Sequence, residues 1–570
     1  MACRGYPCSV GDEVRRVVRR FWCPTALVVV ILALAVAAFP TTAPSQSLED
    51  LLFQSFEITA DIRPVPFQVT CTDQCRIARF GTMKGKAVVQ FKVNSPSPVS
   101  QARVFLDSDL NAKAVTGVPL SFRRERENLI LTFNPPLQPD ATGSLTFEYE
   151  GQPFLLFDDL ILLDDGVLYP VLVSPFGDIS ANRGTLKTTV TVPAGYLLAS
   201  TGKMTRSEAG GMQTYQWEVG EPLPYIAVVG GRVYRSIEKQ AGQIGLTVLV
   251  RPRYDAFADK IADFTAKTAE YYSGLLYPFP FDRLTVVSAP FGRGFLGLGF
   301  PALMMLTEDA FTGGQSGDLR RDSYLFLLVA HEAAHTYFPA QTSGRGIAYV
   351  WLSEGFAEYL GLMTVQAVMG QAAFRKELDE DRKWYASVAG RGELPIGAYT
   401  RLNSGGATAV AVRYAKGAFV LHMLRFLVGD EAFKKILQTY ATRFRGQSVR
   451  VDDFAQVASE VSGKDLSAFF RQWINERVLP DYAIAESTSA SAEGGFRTAV
   501  KVRNAGTGSM PVDILFEMEG GERVIKRVDV GSGATVEVIE TTPRRVTRVE
   551  ADPEKWILQL NYTNDAATVR

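Results

Sequence analysis

The sequence predicts a multidomain protein of the α+β class, with an N-terminal β-sandwich or saddle, a mixed α+β domain and a C-terminal β-sandwich. Three observations lead to this prediction. At 570 residues the chain is longer than a single hydrophobic core supports. Short strand patterns dominate its first and last parts, whereas helical periodicity dominates the part between them. We place the three domains at residues 46–250, 251–480 and 481–570.

The first domain is predicted to be all β. Segments 87–93, 129–133 and 144–149 are rich in β-branched or aromatic residues and are separated by Pro, Gly and Asn. Repetition of this kind is typical of a sandwich or saddle. No cluster of catalytic residue types occurs in this domain, so we expect the chemistry to lie further along the chain.

The middle domain is predicted to pack helices against strands. Phe257, Ile261 and Phe264 recur at helical spacing, and a strand pattern follows at 284–287. The metal-binding segment described below is predicted to lie on a helix that begins after Asp318 and runs to Phe338, where Pro339 prevents continuation. Further helical patterns cover segments 354–369, 415–427, 431–444, 451–461 and 466–476. In the C-terminal domain, Val512, Ile514, Phe516 and Met518 occupy every second position, which indicates a strand with one buried face.

Residues 1–45 are predicted to be a targeting segment. Four arginines between positions 15 and 20 precede an apolar run at 26–39, and Ala35-Val36-Ala37 has the small-residue spacing of a cleavage site. This arrangement favours a secretory signal peptide over an uncleaved membrane anchor. Under either interpretation the positive-inside rule places the rest of the chain on the extracytoplasmic side, secreted, periplasmic or anchored. Contact with a membrane is expected only through this segment, if it is uncleaved.

Charge and cysteine content exclude other classes of function. Sixty basic and sixty-one acidic residues leave a net charge of -1, which gives no indication of a nucleic-acid partner. Beyond the targeting segment only Cys71 and Cys75 remain. In an oxidising compartment they could form a local disulfide, and two free thiols are an equally weighted alternative. No further cysteine and no nearby histidine could complete a metal site there.

The strongest chemical signal is the segment from His331 to His335, which reads His-Glu-Ala-Ala-His. Positions i and i+4 share one face of a helix, so the two imidazoles can bind a single metal ion from the same side. Eighteen residues separate His335 from Glu354. A catalytic zinc ion has three protein ligands and one open position. His331, His335 and Glu354 meet that requirement, and Glu332 is left free to act as a general base on a zinc-activated water.

These residues resemble the M1 family of zinc metallopeptidases, the gluzincin aminopeptidases. The resemblance rests on the His-Glu-x-x-His segment with its later glutamate, on Tyr414-Ala415-Lys416-Gly417 and on the closing segment 551–556. It implies a thermolysin-like peptidase domain over residues 251–480, one Zn²⁺ per chain and a peptide or protein substrate. It also implies that the helical superhelix domain of longer members is absent.

The resemblance implies roles for further residues. The family's tyrosine in this position stabilises the tetrahedral intermediate, which assigns that role to Tyr414. Glu358 lies one turn after Glu354 and is expected to support a ligating imidazole, with a solvated helix glutamate as the competing interpretation. His422 lies among apolar residues and is expected to pack between helices.

One departure from the family concerns substrate binding. The segment Gly297-Leu298-Gly299-Phe300 matches the family's substrate-binding strand, but it carries glycine in place of the glutamate that binds the substrate's free α-amine. Without an anionic partner, nothing offsets the free energy that a charged amine loses when it leaves water. The sequence therefore predicts a zinc peptidase that resembles aminopeptidases. An endopeptidase, another hydrolase and a non-catalytic binding module on the same fold are the alternatives.

Overall fold

A computed structural model describes residues 50–63, 81–152, 160–164, 166–173, 183–290, 296–313, 318–344, 349–400, 403 and 405–569. The predicted targeting segment, Cys71 and Cys75 lie outside these residues. In the part of the chain that is described, no helix combines the length and the apolar character needed to cross a bilayer.

The N-terminal part consists of strands, most of which present alternate residues to a core. In chain order they are β1 Leu51–Arg63, β2 Thr82–Val93, β3 Val99–Phe105, β4 Leu110–Thr116, β5 Leu120–Glu125, β6 Asn128–Leu137, β7 Thr142–Gly151, β8 Ile161–Leu163, β9 Val171–Leu172, β10 Gly184–Pro193, β11 Leu197–Ala199, β12 Lys203–Ala209, β13 Met212–Leu223 and β14 Val228–Gly231. Along β2, Met83, Ala87 and Phe91 are buried while Lys84 and Lys86 are exposed. This alternation places one face of the strand in a core.

These strands form three sheets. The largest has seven strands in the order β12-β13-β10-β1-β2-β7-β4, beside a four-stranded sheet β5-β6-β3-β9 and a three-stranded sheet β11-β14-β8. The pairing of β1 with β10 is parallel, and the other pairings in the large sheet are antiparallel. Most of their inward side chains share one hydrophobic core that includes Phe53, Phe91 and Trp217. Ala199 and Val229 belong to a smaller, separate core.

The middle part sets helices against a five-stranded sheet. The strands are β15 Arg235–Ala241, β16 Ile244–Val250, β17 Arg283–Ala289, β18 Gly297–Phe300 and β19 Leu303–Thr307, in the order β15-β16-β17-β19-β18. The α-helices are α1 Ala258–Leu275, α2 Glu308–Phe311, α3 Asp322–Ala334, α4 Tyr349–Met369, α5 Gln371–Val388, α6 Ala407–Ala411, α7 Gly417–Val428, α8 Asp430–Arg443, α9 Val451–Ser462 and α10 Ser467–Asn475. A π-helical turn, Val412–Lys416, joins α6 to α7, and short strands β20 Thr342–Gly344 and β21 Gln447–Val449 pair in parallel.

Helix α3 is the element on which the site depends, and it is buried along most of its length. Every residue from Leu325 to Ala334 is buried, so the helix lacks a solvent face and packs on several sides. The Tyr272 hydroxyl of α1 donates to the carbonyl of Ala330 at 2.9 Å. The prediction that this helix runs to Phe338 is wrong. The N–H groups of Thr336 and Tyr337 bond three residues back, and Pro339 has no N–H with which to continue a helix.

The C-terminal part returns to strands. These are β22 Tyr482–Ala492, β23 Gly495–Asn504, β24 Pro511–Met518, β25 Arg523–Asp529, β26 Thr535–Thr542, β27 Val546–Ala551 and β28 Ala566–Thr568, in sheets of three strands, β22-β23-β26, and four strands, β25-β24-β27-β28. Their core is continuous with that of the helices. At the junction Trp556 stacks on His422 of α7, with ring centroids 4.4 Å apart.

The coarse architecture predicted from the sequence is confirmed, because a β-rich part, a helical part and a second set of β-sheets follow one another. The numerical domain boundaries stay predictions. Two strands of the five-stranded sheet, β15 and β16, precede residue 251, so the sheet beside α3 draws on chain ahead of the predicted start of the peptidase domain.

Candidate active site

Three potential metal ligands converge between α3 and α4. His331 and His335 belong to the last turn of α3 and its C-cap, and Glu354 lies in the second turn of α4. The Nε2 atoms of His331 and His335 lie 3.5 and 3.6 Å from Oε2 of Glu354. One atom from each residue lies within 4.8 Å of the other two, and all three side chains are largely buried.

Both imidazoles are oriented by hydrogen bonds through their other ring nitrogen. Nδ1 of His331 lies 2.6 Å from Oε2 of Glu358, and Nδ1 of His335 lies 2.9 Å from the carbonyl oxygen of Phe338. Each acceptor fixes the proton on Nδ1, so that the lone pair of Nε2 faces Glu354. The structure therefore places Glu358 against a ligand, one helical turn from Glu354.

The donor set fits a zinc ion. Oε2 of Glu354 is buried and has no hydrogen-bond partner, although buried carboxylate oxygens are normally satisfied. Two imidazole nitrogens and a carboxylate oxygen are ligands that zinc prefers, and three of them leave the fourth position open. A cation held by these three residues would satisfy the unpartnered oxygen.

Glu332 occupies a confined space beside this group. Its side chain is 6% exposed and lies between α3 and strand β18. Burial raises the pKa of Glu332 to about 8, with His331 acting in the opposite direction. A nearby cation favours the ionised form of a carboxyl group, so metal binding and base strength are linked at this position.

Strand β18 approaches α3 so closely that only glycine fits on the facing side. A Cβ atom at Gly299 would lie 2.6 Å from the carbonyl oxygen of Glu332 and 2.7 Å from Cβ of His335. A Cβ at Gly297 would overlap the Glu332 carboxylate. The other two predicted residues of this strand, Leu298 and Phe300, alternate with the glycines, and Phe300 packs edge-on against Tyr225.

Tyr414 completes the site from the π-helical turn. Its ring is parallel to that of His331, with centroids 5.4 Å apart and an angle of 4° between the planes. Burial and the negative charge of Glu354 hold the pKa of Tyr414 well above its usual range. The phenol thus remains a hydrogen-bond donor at the metal ligands.

Two other titratable groups have structural partners. Glu308 pairs with Arg251, with 2.5 Å between Oε1 and Nε, and both side chains are buried. Nδ1 of His422 lies 2.9 Å from the Tyr359 hydroxyl, and its ring stacks on Trp556. Neither is among the residues that converge on the metal ligands.

The sequence prediction missed helix α5, although its signal was present. Phe374, Leu378 and Tyr385 are buried at helical spacing, and Gly370 precedes the first turn. This helix brings Trp384, which is 38% exposed, to 6.1 Å from the Tyr414 ring.

Replacing Glu358 tests its support of His331. We expect Glu358→Gln, which keeps an acceptor but removes the charge, to weaken zinc binding about 10-fold, and Glu358→Ala to weaken it about 100-fold. Competition with a calibrated chelator measures the affinity. Glu380→Gln, at a half-exposed position of α5 paired with Lys383, is the matched control. Equal affinity in all four proteins would show that Glu358 does not support zinc binding through His331.

Comparison with known proteins identifies relatives. Residues 262–473 match the peptidase family M1 domain. Aminopeptidase N of Lactococcus lactis subsp. lactis is 30% identical over 169 residues, which cover 27% of this chain and 19% of that protein. Aminopeptidase M1-A of Oryza sativa subsp. japonica is 23% identical over 411 residues, or 66% of this chain and 44% of that protein. The chain thus spans less than half the length of each.

The fold is also found among solved structures. The M1 zinc metallopeptidase from Deinococcus radiodurans superimposes with a TM-score of 0.57 and 21% identity, covering 77% of this chain and 96% of that one. At this identity the likeness concerns the fold. The matched M1 domain includes α3, Glu354 and Tyr414, and the domain and the His-His-Glu group together confirm zinc as the predicted cofactor. Residues 262–473 of this chain are thus similar to the peptidase family M1 domain.

Proposed function

We propose that this protein is an exported zinc peptidase that hydrolyses peptide bonds, with Glu332 as general base and Tyr414 as the donor to the developing oxyanion. The observation that carries the proposal is the convergence of His331, His335 and Glu354 around an unpartnered carboxylate oxygen. Glu332, the neighbour of one ligand, stays outside this group. A solely structural zinc site would need a fourth protein ligand rather than an open position.

The chain's own residues have separate tasks in hydrolysis. Zinc, held by the three ligands, supplies a positive charge that polarises a carbonyl group and acidifies a water molecule. Glu332 accepts the proton of the attacking water and returns it to the leaving nitrogen. The Tyr414 hydroxyl donates a hydrogen bond to the carbonyl oxygen as that oxygen becomes negative. Glu358 and the Phe338 carbonyl keep the two imidazoles in the orientation that ligation requires.

Strand β18 is suited to hold an extended substrate. It is the last strand in the order of its sheet, and its backbone lies directly beside Glu332. An edge strand presents free N–H and C=O groups to which a peptide can add. We therefore assign substrate binding to Gly297, Leu298, Gly299 and Phe300.

The two glycines favour a second candidate, a peptidase that does not require a free amino terminus. The side of β18 that faces Glu332 and His335 has no room for a side chain, so no carboxylate can project from Gly299 without displacing the site. Glu308, the next acidic residue along the chain, is paired with Arg251. The matching position thus provides no anionic partner for a substrate amine.

A pair of substrates separates the two candidates, an aminopeptidase and a peptidase that does not require a free amino terminus. The purified protein is assayed with one peptide carrying either a free or an acetylated amino terminus, with the zinc content measured in parallel. An aminopeptidase cleaves only the free peptide, whereas a peptidase without an amine requirement cleaves both at similar kcat/KM. A zinc-loaded protein that cleaves neither peptide, nor any of a mixed set of unblocked and blocked peptides, would refute the proposed hydrolysis.

The close approach of β18 predicts that Gly299→Ala is harmful. The added methyl group forces α3 and β18 apart, and we expect kcat/KM to fall at least about 10-fold with a loss of about 1–3 kcal/mol in the free energy of unfolding. Urea unfolding and peptide hydrolysis measure these effects. Gly274→Ala in α1, where a Cβ meets nothing within 4 Å, is the matched control and should keep full activity. Equal behaviour of the two variants would show that β18 does not lie against α3.

Export is the remaining part of the proposal. It is supported by the arginines at 15–20, the apolar run at 26–39 and the Ala-Val-Ala spacing near its end. Fractionation of cells expressing the full chain, with amino-terminal sequencing of the product, tests it. A secreted or periplasmic product that begins after position 37 is the expected result. A full-length product in the cytosolic fraction would contradict export, and one in the membrane fraction would identify an anchor.

A further inference from the structure

The turn that carries Tyr414 has a rare type of helical hydrogen bonding. Val412–Lys416 is π-helical, between the α-helical segments α6 and α7. Hydrogen bonds of the i→i+5 type are rare, and single π-helical turns persist where the surrounding structure holds them. Something outside the turn must therefore keep it from relaxing into a continuous α-helix, which would rotate the Tyr414 side chain about the helix axis.

A buried ion pair is attached to the end of this turn. The ammonium group of Lys416 lies 2.8 Å from Oε1 of Glu393, and the side chains are 1% and 6% exposed. Glu393 also accepts hydrogen bonds from the Tyr385 hydroxyl at 2.9 and 3.1 Å and from the N–H of Gly390 at 3.2 Å. The carbonyl of Glu393 in turn accepts from Arg477 at 3.0 Å. The pair is thus anchored to α5, to the loop after it and to the segment after α10.

Stability alone gives little reason for this arrangement. Moving two charges out of water costs free energy that their attraction barely recovers, and apolar residues of similar volume often serve a fold as well. A buried ion pair does, however, fix one geometry, because either charge is strongly disfavoured without the other. Such a device suits a position at which one side chain must keep its orientation.

We propose that the Lys416–Glu393 pair, supported by Tyr385, is a positioning device that holds the π-helical turn and aims the Tyr414 hydroxyl at the reacting carbonyl. Lys416 and Glu393 act through Tyr414 and do not touch the substrate. Helix α5, which supplies Tyr385, also carries Trp384 next to the Tyr414 ring. The ion pair thus restrains the backbone of Tyr414, and Trp384 contacts its ring. The inference rests on the proposed function, because it gives the orientation of Tyr414 a catalytic purpose.

The first test is a double-mutant cycle in the zinc-loaded enzyme. Lys416→Met combined with Glu393→Gln removes both charges, nearly preserves shape and leaves an acceptor for Tyr385. We expect kcat to fall about 10- to 100-fold at unchanged KM and zinc content. Adding these changes to Tyr414→Phe should cause no further loss, because the hydroxyl they position is already gone. A loss that multiplies with that of Tyr414→Phe, or an unchanged kcat, would overturn the proposal.

A second readout does not depend on activity. Hydrogen exchange of the metal-free protein should show amides 412–417 losing protection at least about 10-fold in the charge-free pair, with α3 unchanged. Unchanged protection in the turn would overturn the proposal even if the protein proved not to be a peptidase. If Tyr414→Phe itself had no effect on kcat, the proposed function would fail at that residue, and hydrogen exchange alone would decide whether the pair holds the turn.

Two further variants complete the design. Arg443→Met combined with Glu460→Gln removes an ion pair that is about two-fifths exposed, and serves as the matched control with expected wild-type values. Tyr385→Phe removes only one hydroxyl, and it tests the proposal if the variant that combines Lys416→Met with Glu393→Gln does not fold. We expect a smaller loss of kcat from it, again absent in the Tyr414→Phe background. An effect that persists in that background would show that the network acts on the fold as a whole.

Discussion

Replacing Glu332 with glutamine is expected to lower kcat about 10²- to 10⁴-fold while leaving the zinc content unchanged. Glutamine has nearly the same shape but cannot accept the proton of the attacking water, and general acid–base catalysis typically contributes a factor of this size. The side chain is not among the three groups that converge as ligands, so metal binding should survive. Steady-state hydrolysis of a fluorogenic peptide and elemental analysis of the dialysed protein measure the two quantities.

The control for this change is a glutamate whose side chain is 89% exposed. Glu431→Gln, in the first turn of α8, should retain wild-type kcat, KM and zinc content. If Glu332→Gln also retained full activity, a different group would have to accept the proton, and the assignment of the base would be lost. If the variant lost zinc together with activity, Glu332 would belong to the ligand set.

Replacing Glu354 with glutamine is expected to remove zinc and activity together. The amide oxygen is a much weaker ligand than a carboxylate, and with two imidazoles alone the site lacks its third anchor. Zinc bound at a free concentration of 100 times its Kd stabilises the folded state by about 2.7 kcal/mol, and this contribution should be absent in the variant. Thermal unfolding with and without added zinc, together with peptide hydrolysis, tests both effects.

Chelation of the wild-type protein provides the comparison for Glu354→Gln. Removal of zinc should lower the melting temperature and abolish hydrolysis, and added zinc should restore both. The variant should already unfold at the temperature of the chelated wild type and should not respond to zinc. A variant that binds zinc as tightly as the wild type would show that the ligand is another residue.

The fold was predictable where local pattern and burial agree. Strand β2 alternates apolar and charged residues, and helices α8, α9 and α10 lie within one or two residues of the predicted segments. The end of α3 was not predictable from periodicity, because its apolar run continues past Ala334 while the hydrogen bonds change to a tighter turn. Strands β15 and β16 could be recognised as such, but their membership of the second sheet depends on pairing with distant β17.

The convergence of the three candidate ligands was predictable from residue type and spacing, since the two histidines share a helix face and the fold need only bring Glu354 to them. What orients these ligands was harder to predict. Nδ1 of His335 is hydrogen-bonded to the backbone carbonyl of Phe338, and no sequence pattern specifies such a partner. The role of Lys416 also escaped prediction, because its partner Glu393 lies in a loop and the two meet only through the packing of α5.

The stacking of Trp556 on His422 has a consequence for how the protein is divided. The C-terminal sheets and the helices share one continuous core, whereas the strands before β15 contribute most of their buried apolar side chains to another. The units that unfold cooperatively therefore differ from the domains predicted from the sequence. Calorimetry should show the peptidase helices and the last ninety or so residues melting in a single transition. A protein truncated near residue 480 would expose the apolar face of α7 that Trp556 covers. We expect it to aggregate rather than to fold into a smaller enzyme.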